Sequence, residues 1–360
     1  MKQSTDAHFK QVMDGSDRSI AAGALRIAAS CAEPVYAAIM RARNRLYEAK
    51  ILPIHPLGRP TISVGNITTG GTGKTPMVRW LAAGLKDQRP CVLLRGYKST
   101  AAGLSDEQAL LAAGAVPVMV DGDRRRGAAG ALQRHPETTV FVLDDGMQHR
   151  RANRDFEIVL IHGREPFGGG RVLPRGMLRE PLSGLGRADA VVVTHADEVD
   201  STEIARISAV IRKHNPQAAI FRADHVIHAF RSATGESMPI QSLQGKRYFA
   251  FCGIGSPASF FWRVAAAGGM CAGTREFADH FDYRQRDVAE IIDEAASAGA
   301  ELLVVTEKDW VKLSRACARI SMPVWRAELS LRFWPEEGEQ LLEMIGNALA
   351  GGTRSPAGRG

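Results

Sequence analysis

The sequence predicts an α/β protein with a mostly parallel sheet flanked by helices, a smaller second α/β domain and an N-terminal apolar helix. Three observations predict it. The apolar run Ile62–Val64 ends in a glycine-rich turn that opens a helical pattern at Met77, Trp80, Leu81 and Leu85. Short apolar runs then alternate with helix-like stretches, as in a sheet covered on both faces. A second such passage starts at Tyr248, after a polar pause over 225–245.

Taken in order, residues 1–18 are polar and mixed in charge and read as a flexible leader with no cleavable signal peptide. From Ser19 to Leu52 the texture changes: Ile20, Leu25, Ile27, Val35, Tyr36, Ile39 and Met40 lie among alanines, followed by Arg41, Arg43, Arg45 and Lys50. Arg26, Glu33 and Pro34 interrupt the run, so no uncharged stretch reaches the roughly 18–20 residues that span a bilayer. An interfacial helix and a helix packed on the following domain both fit this pattern. The 360 residues suffice for one large or two moderate domains. Hydrophobic content of 45% and charged content of 24% are those of a globular chain. A net charge of +7 points to an anionic partner, whether nucleic acid, phosphorylated substrate or acidic membrane surface. Five cysteines lie far apart, which argues against zinc and against a disulfide framework.

The glycine-rich turn is Thr68-Thr69-Gly70-Gly71-Thr72-Gly73-Lys74-Thr75. Glycines let successive backbone N–H groups face one concavity, and the helix N-terminus adds partial positive charge there. Lys74 can reach outer phosphates and the Thr75 hydroxyl can ligate Mg²⁺. This is a phosphate-binding loop, with Thr68 where the common pattern has Gly, and the fold class is of P-loop NTPase type. Cys91–Leu94, Val116–Val120, Val140–Leu143, Ile158–Ile161 and Ala190–Val193 read as buried strands, with helices over Glu107–Ala113 and Arg124–Leu132 among the connections. Val140–Leu143 runs into Asp144-Asp145-Gly146-Met147-Gln148-His149, and a carboxylate at such a strand end is where a phosphate-loop enzyme holds Mg²⁺. Which of Asp144 and Asp145 contacts the metal is open. Arg164–Leu185, rich in Gly and Pro, reads as a long functional loop. Arg124-Arg125-Arg126 fits an anionic contact or a solvated helix face.

In the second passage, helices are expected over Pro257–Ala267 and Gln285–Ala298 and a strand over Leu302–Thr306; Gly351–Gly360 reads as a flexible tail. The expected organisation is thus a leader (1–18), an N-terminal helix (19–52), a P-loop domain (53–230), a smaller α/β domain (231–350) and a tail (351–360).

Gly65-Asn66-Ile67-Thr68-Thr69-Gly70-Gly71-Thr72-Gly73-Lys74-Thr75-Pro76 resembles the signature of the tetraacyldisaccharide 4′-kinase (lipid A 4′-kinase) family. Further segments match in order: Arg95-Gly96-Tyr97, Ser105-Asp106-Glu107, Asp144 to His149, Leu173-Pro174-Arg175-Gly176-Met177-Leu178-Arg179-Glu180-Pro181, Asp279-His280 and Thr306-Glu307-Lys308-Asp309. Together they cover roughly residues 19 to 345. The resemblance implies a phosphate-loop kinase domain with a smaller domain completing the active-site cleft, at the cytoplasmic face of the Gram-negative inner membrane. It implies transfer of the γ-phosphate of ATP, with Mg²⁺, to the 4′-hydroxyl of a tetraacylated glucosamine disaccharide 1-phosphate. Asp106 stands where the family has its base, with His280 as partner. Lys74 and the loop residues would hold the nucleotide, Thr75, Asp144 and Asp145 the metal, and Asn66, Gln148, His149, Arg175 and Arg179 the substrate, with Asp145 also in the catalytic network. An acylated substrate tips the N-terminal segment toward the membrane, with Arg41, Arg43 and Arg45 at anionic headgroups. The chain departs from the family in its longer leader and in Phe281, where a polar residue is expected.

The alternative from another class is a membrane-associated ATPase switch. The absence of Asp-x-x-Gly after Val140–Leu143 argues against it. A nucleic-acid partner rests on charge alone and is not expected, since aromatic-basic interleaving is missing. The sequence names no protein partner.

Overall fold

The computed structural model describes residues 9, 11–13, 15–96, 111, 116–279, 281–316 and 320–351. Asp106 and His280 lie outside the described residues, as do Tyr97, Ser105 and, except for Leu111, the helix expected over Glu107–Ala113. By its contacts the chain forms two units. The smaller is centred on Val226–Ser330, and the larger joins Lys10–His225 with Leu331–Gly360.

The larger unit is built on parallel strands β1 (Thr61–Asn66), β2 (Pro90–Leu94), β3 (Val118–Val120), β4 (Val140–Asp144), β5 (Phe156–His162), β6 (Ala190–Thr194) and the first part of β7 (Ala219–Ser232). Their order is β7-β6-β5-β1-β4-β2-β3. Strand β1 is central, paired in parallel with β4 (Val64 beside Asp144) and with β5 (Val64 beside Ile158). The chain leaves β1 toward β2 and later returns on its other side, and that reversal places the loop after β1 at the switch point where α/β sheets bind ligands. Alternate residues feed opposite cores. Ile158, Leu160 and Val192 pack with the helix Lys74–Gly84, whereas Val159, Ile161, Val191 and Val193 pack with Ile207 and Ile211 of the helix Ser201–His214. Two-sided burial is why these strands read as unbroken apolar runs.

By contacts, the main segment of the smaller unit begins at Val226 and ends at Ser330. Strand β12 (Val324–Phe333) carries the chain back, and the helix Glu337–Ala350 belongs to the larger unit, where Leu341 and Ile345 share a core with Met77, Val78 and Leu81. A helix's periodicity shows that it has an apolar face but not which surface receives it.

The N-terminal helix runs from Ile20 to Glu48 through Pro34, capped by Ser19, whose Oγ accepts from Ala22 N–H at 3.2 Å. Its buried stripe is made of small or polar residues, Ala22, Ala29, Ala37 and Asn44, with Tyr47 at the end. Its large apolar residues Ile20, Leu25, Ile27, Val35 and Ile39 point outward, Ile27 being 69% exposed. Among the described residues no helix is long and apolar enough to cross a membrane.

The smaller unit holds parallel strands β9 (Arg247–Cys252), β10 (Met270–Glu276), β11 (Leu302–Thr306) and the first part of β12, ordered β10-β9-β11-β12, with β8 (Ser237–Pro239) antiparallel to β7. Here too alternation divides two cores, with Tyr248, Ala250 and Cys252 on one side and Phe249 and Phe251 on the other.

Candidate active site

The phosphate loop leaves β1 at Asn66 and enters the helix Lys74–Gly84 through Gly73, whose φ of 85° is a left-handed conformation suited to glycine. A Cβ at Gly73 would lie 2.4 Å from Cε1 of His225, so the absence of a side chain also admits that ring. The first intrahelical bond is Met77 N–H to Gly73 C=O, so the N–H groups of Lys74 and Thr75 precede the helical ladder. Thr194 Oγ1 donates to the Thr72 carbonyl at 3.0 Å and ties the loop to the end of β6. Buried Thr72 Oγ1 and Asn66 Nδ2 have no hydrogen-bond partner among the described residues, and both are polar atoms suited to a bound phosphate or a water on it.

The Gly/Pro loop closes one side. It lies against the phosphate loop through an isolated bridge between Thr68 and Leu178, with Thr69 N–H donating to Met177 C=O at 2.7 Å and Arg179 N–H to Ile67 C=O at 2.8 Å. These bonds bring Arg179 to the carboxylates. Its Nη1 reaches Asp145 Oδ1 at 2.7 Å and Gln148 Oε1 at 3.2 Å. Lys74 Nζ stands 3.5 Å from the same Asp145 oxygen and donates to Asn66 Oδ1 at 3.0 Å. Burial opposes ionisation of Asp145, but the charges of Lys74 and Arg179 outweigh it and hold its carboxyl below the usual range. Asp145 adopts φ 52°, the left-handed region, which turns the chain sharply after β4. Asp144, the last residue of β4, is buried, and its carbonyl accepts from Arg124 Nη2 at 2.8 Å.

Not every expected residue gathers here. Arg175 turns away, donating from Nη1 to the Met13 carbonyl at 2.7 Å. Arg43, expected at headgroups, donates to the Gln148 carbonyl at 2.9 Å. The run Arg124-Arg125-Arg126 divides: Arg124 is buried beneath Asp144, while Arg125 and Arg126 are exposed and Arg126 pairs with Asp121 at 2.6 Å.

The support beneath the site carries no local sequence pattern. Glu180, 1% exposed, accepts from Arg187 Nη2 at 2.9 Å, from Asn44 Nδ2 of the N-terminal helix at 2.8 Å and from Gln148 Nε2 at 3.1 Å. Gln148 Nε2 also donates to the Asn66 carbonyl at 3.0 Å. One buried carboxylate thus joins the N-terminal helix, the Gly/Pro loop and the turn after β4. Its place inside Arg179-Glu180-Pro181 was the available signal. Removing one partner of a buried pair costs about 3–5 kcal/mol. Glu180→Ala is therefore expected to lower the thermal midpoint by several degrees in a melting experiment, and an unchanged midpoint would refute the role.

His149 lies in the same turn, and burial, then Arg124 and Arg154, push its imidazole down to about 4 from 6.5. The folded chain holds this proton less readily than the unfolded chain. Between pH 6.5 and about 4 the unfolded state therefore binds more protons, and His149 makes stability fall as pH drops through that window. An NMR titration should find His149 still neutral at about pH 6; a midpoint at its ordinary value would contradict the placement.

A strand, glycine loop and helix with lysine and threonine at the helix start, beside paired strand-end carboxylates, define a P-loop protein of phosphoryl-transfer type. Similarity to known proteins gives the particular family. Residues 25–349 match tetraacyldisaccharide-1-P 4′-kinase, and the chain belongs to that family. It is 33% identical to the tetraacyldisaccharide 4′-kinase of Halothermothrix orenii over 88% of this chain and 90% of that protein. It is 37% identical to that of Geobacter metallireducens over 82% of this chain and 90% of that protein. The crystal structure of LpxK from Aquifex aeolicus in complex with ATP is similar in fold, with a TM-score of 0.68, 29% identity and coverage of 90% of this chain and 99% of that one.

Proposed function

We propose that this kinase transfers the γ-phosphate of ATP to the 4′-hydroxyl of tetraacyldisaccharide 1-phosphate, giving the 4′-phosphorylated lipid A precursor, at the cytoplasmic face of a Gram-negative inner membrane. The observation that carries the reading is Lys74, Asp145 and Arg179 gathered at the mouth of the phosphate loop, together with membership of the family. Thr68 to Thr75 hold the nucleotide phosphates through loop amides and Lys74. The residues present fit Mg²⁺: Thr75 and Asp144 would hold it, with Asp145 beside them, and unpartnered Thr72 Oγ1 marks a polar floor to the loop. When bound, the metal supplies positive charge against that of the phosphates. Asp145, already engaged by two cations, serves to align Lys74 and Arg179 toward the transferring phosphoryl group. Asn66, Gln148, His149, Arg175 and Arg179 are the proposed substrate contacts, although Arg175 is held by Met13 in this structure.

A sugar hydroxyl is a weak nucleophile at neutral pH. Its proton passes to the carboxylate of Asp106, with His280 as partner. The 4′-oxygen forms its bond to the γ-phosphorus as the bridging bond to ADP breaks. Detergent-dispersed tetraacyldisaccharide 1-phosphate given γ-labelled ATP and Mg²⁺ should become labelled; ATP hydrolysis with an unlabelled lipid would sink the reading.

The N-terminal helix supports the membrane assignment. It presents isoleucine, leucine and valine outward while burying alanine, the reverse of a helix seated only on its own domain. Ile27→Glu with Ile39→Glu should reduce co-sedimentation with anionic phospholipid vesicles about tenfold or more while the protein stays folded. Unchanged sedimentation would show that this face does not meet lipid.

A further inference from the structure

Glu157 is 2% exposed on β5, directly beside Ser63 of β1, and the mechanism above leaves it unused. A carboxylate in a strand buried on both faces costs free energy unless a cation and further donors meet it. Both are present. Arg154 Nη1 donates to Glu157 Oε2 at 2.7 Å, and Ser63 Oγ donates to Oε1 at 2.7 Å. The rest of the guanidinium fork is spent on main-chain carbonyls. Nη1 also donates to that of Gly146 at 3.0 Å, while Nη2 donates to those of His149 at 2.6 Å and Ala152 at 3.0 Å. All three carbonyls lie in the turn that follows β4. A sharp turn leaves carbonyls that no neighbouring strand pairs, and buried ones need donors from elsewhere. One planar group with five N–H donors supplies both ends of the turn at once.

The contacts close on the residue after Asp145. Gly146 N–H donates to the Val64 carbonyl of β1 at 3.1 Å, and its own carbonyl accepts from Arg154 and from His149 N–H at 2.8 Å. A Cβ on Gly146 would collide with Ser63 Oγ, the same hydroxyl that donates to Glu157. Ser63, Glu157, Arg154 and Gly146 thus form a closed circuit whose wall is the pair β1 and β5. Asp145 itself holds φ 52°, a conformation that a residue other than glycine keeps only where its surroundings enforce it. Lys74 and Arg179 draw its carboxylate from one side, and the Arg154 circuit restrains its backbone from the other.

We propose that Arg154 is a positioning residue for phosphoryl transfer: its guanidinium, anchored on Glu157, clasps the turn after β4 and fixes Asp145 in place. The proposal rests on the reading of Asp145 as part of the transfer site. Small displacements of a group at the reacting centre lower turnover steeply, with about 1 Å worth up to a hundredfold. The bonds listed for the phosphate loop do not involve Arg154, so nucleotide binding is not its task.

The test is a cycle of full-length proteins, wild type, Arg154→Lys, Asp145→Asn and the double variant, read as kcat for lipid phosphorylation, KM for ATP and thermal midpoint. Arg154→Lys keeps a positive charge against Glu157, but one ammonium cannot also replace the bonds of Nη2 to His149 and Ala152. It is expected to lower kcat about tenfold, with KM for ATP within about twofold, and to lower kcat no further in the Asp145→Asn background. Equal losses in both backgrounds, or no loss of kcat in the wild-type background, would overturn the proposal, because a purely structural role is blind to Asp145. Wild-type turnover in Asp145→Asn would overturn the reading of Asp145, and the positioning role with it. ADP formed without labelled lipid by the wild-type protein would overturn the kinase reading and remove the reaction that Arg154 serves. If Arg154→Lys does not fold, Arg154→Gln combined with Glu157→Gln, which removes the guanidinium and leaves no unpaired charge, takes its place in the same cycle with the same outcomes.

Discussion

Replacing Lys74 with alanine is expected to lower lipid phosphorylation at least about a hundredfold, the scale on which a lost transition-state donor is felt. Lys74 is the loop's only lysine, and its ammonium already stands between Asn66 Oδ1 at 3.0 Å and Asp145 Oδ1 at 3.5 Å. Its loss removes charge from the phosphates and one of the two cations that keep Asp145 ionised, so the Asp145 pKa moves upward. Arginine should restore little, because its planar fork cannot occupy the place of a compact ammonium. Transfer of label from ATP to lipid measures the effect. Turnover within a few-fold of wild type would remove Lys74 from the phosphate site.

Asp106→Ala is expected to fall by a similar factor for a different reason. Here the phosphates remain bound and the 4′-hydroxyl lacks an acceptor for its proton. Affinity for ATP, measured by equilibrium dialysis, should therefore survive in Asp106→Ala. In Lys74→Ala affinity and turnover should drop together. Near-normal turnover in Asp106→Ala would remove it as the base.

How far each of these sites was legible follows from how local its signal is. Strand β1, its loop and the helix after it are contiguous, so glycine spacing and apolar periodicity were enough to find them. Strands β2, β4, β5 and β6 read correctly because burial on both faces leaves unbroken apolar runs. Val116–Val120, expected as a buried strand, instead forms the edge strand β3 over Val118–Val120, half-buried to exposed because it pairs on one side only. The ion pair between Asp145 and Arg179 joins residues 34 apart, and Glu180 meets Asn44 across 136 residues. No local pattern encodes either. The three arginines from Arg124 look alike in sequence, yet only the first is buried, because it alone falls on the side of its helix facing β4. Arg175 and Arg179 lie in one Gly/Pro loop, but the bridge between Thr68 and Leu178 brings only Arg179 to the phosphate loop. The assignments proposed for Asp106 and His280 rest on the family's motifs, since neither residue type nor spacing marks them.

The support around the site extends the same logic. The N-terminal helix reaches the turn after β4 through Asn44 and Arg43, and so a segment proposed to meet the membrane also braces Gln148. Tyr36 O–H donates to the Arg179 carbonyl at 2.7 Å and adds a third tie. The arrangement couples the element proposed to face lipid to residues proposed to receive the lipid's sugar.

The most direct measurement of the proposed reaction is its stoichiometry. The wild-type protein is given γ-labelled ATP, Mg²⁺ and tetraacyldisaccharide 1-phosphate, and ADP and labelled lipid are counted over one time course. The expected result is one labelled lipid for each ADP formed, with the label on the 4′-oxygen. ADP accumulating with free phosphate and no labelled lipid would contradict it, and the protein would then be an ATPase that leaves the lipid untouched.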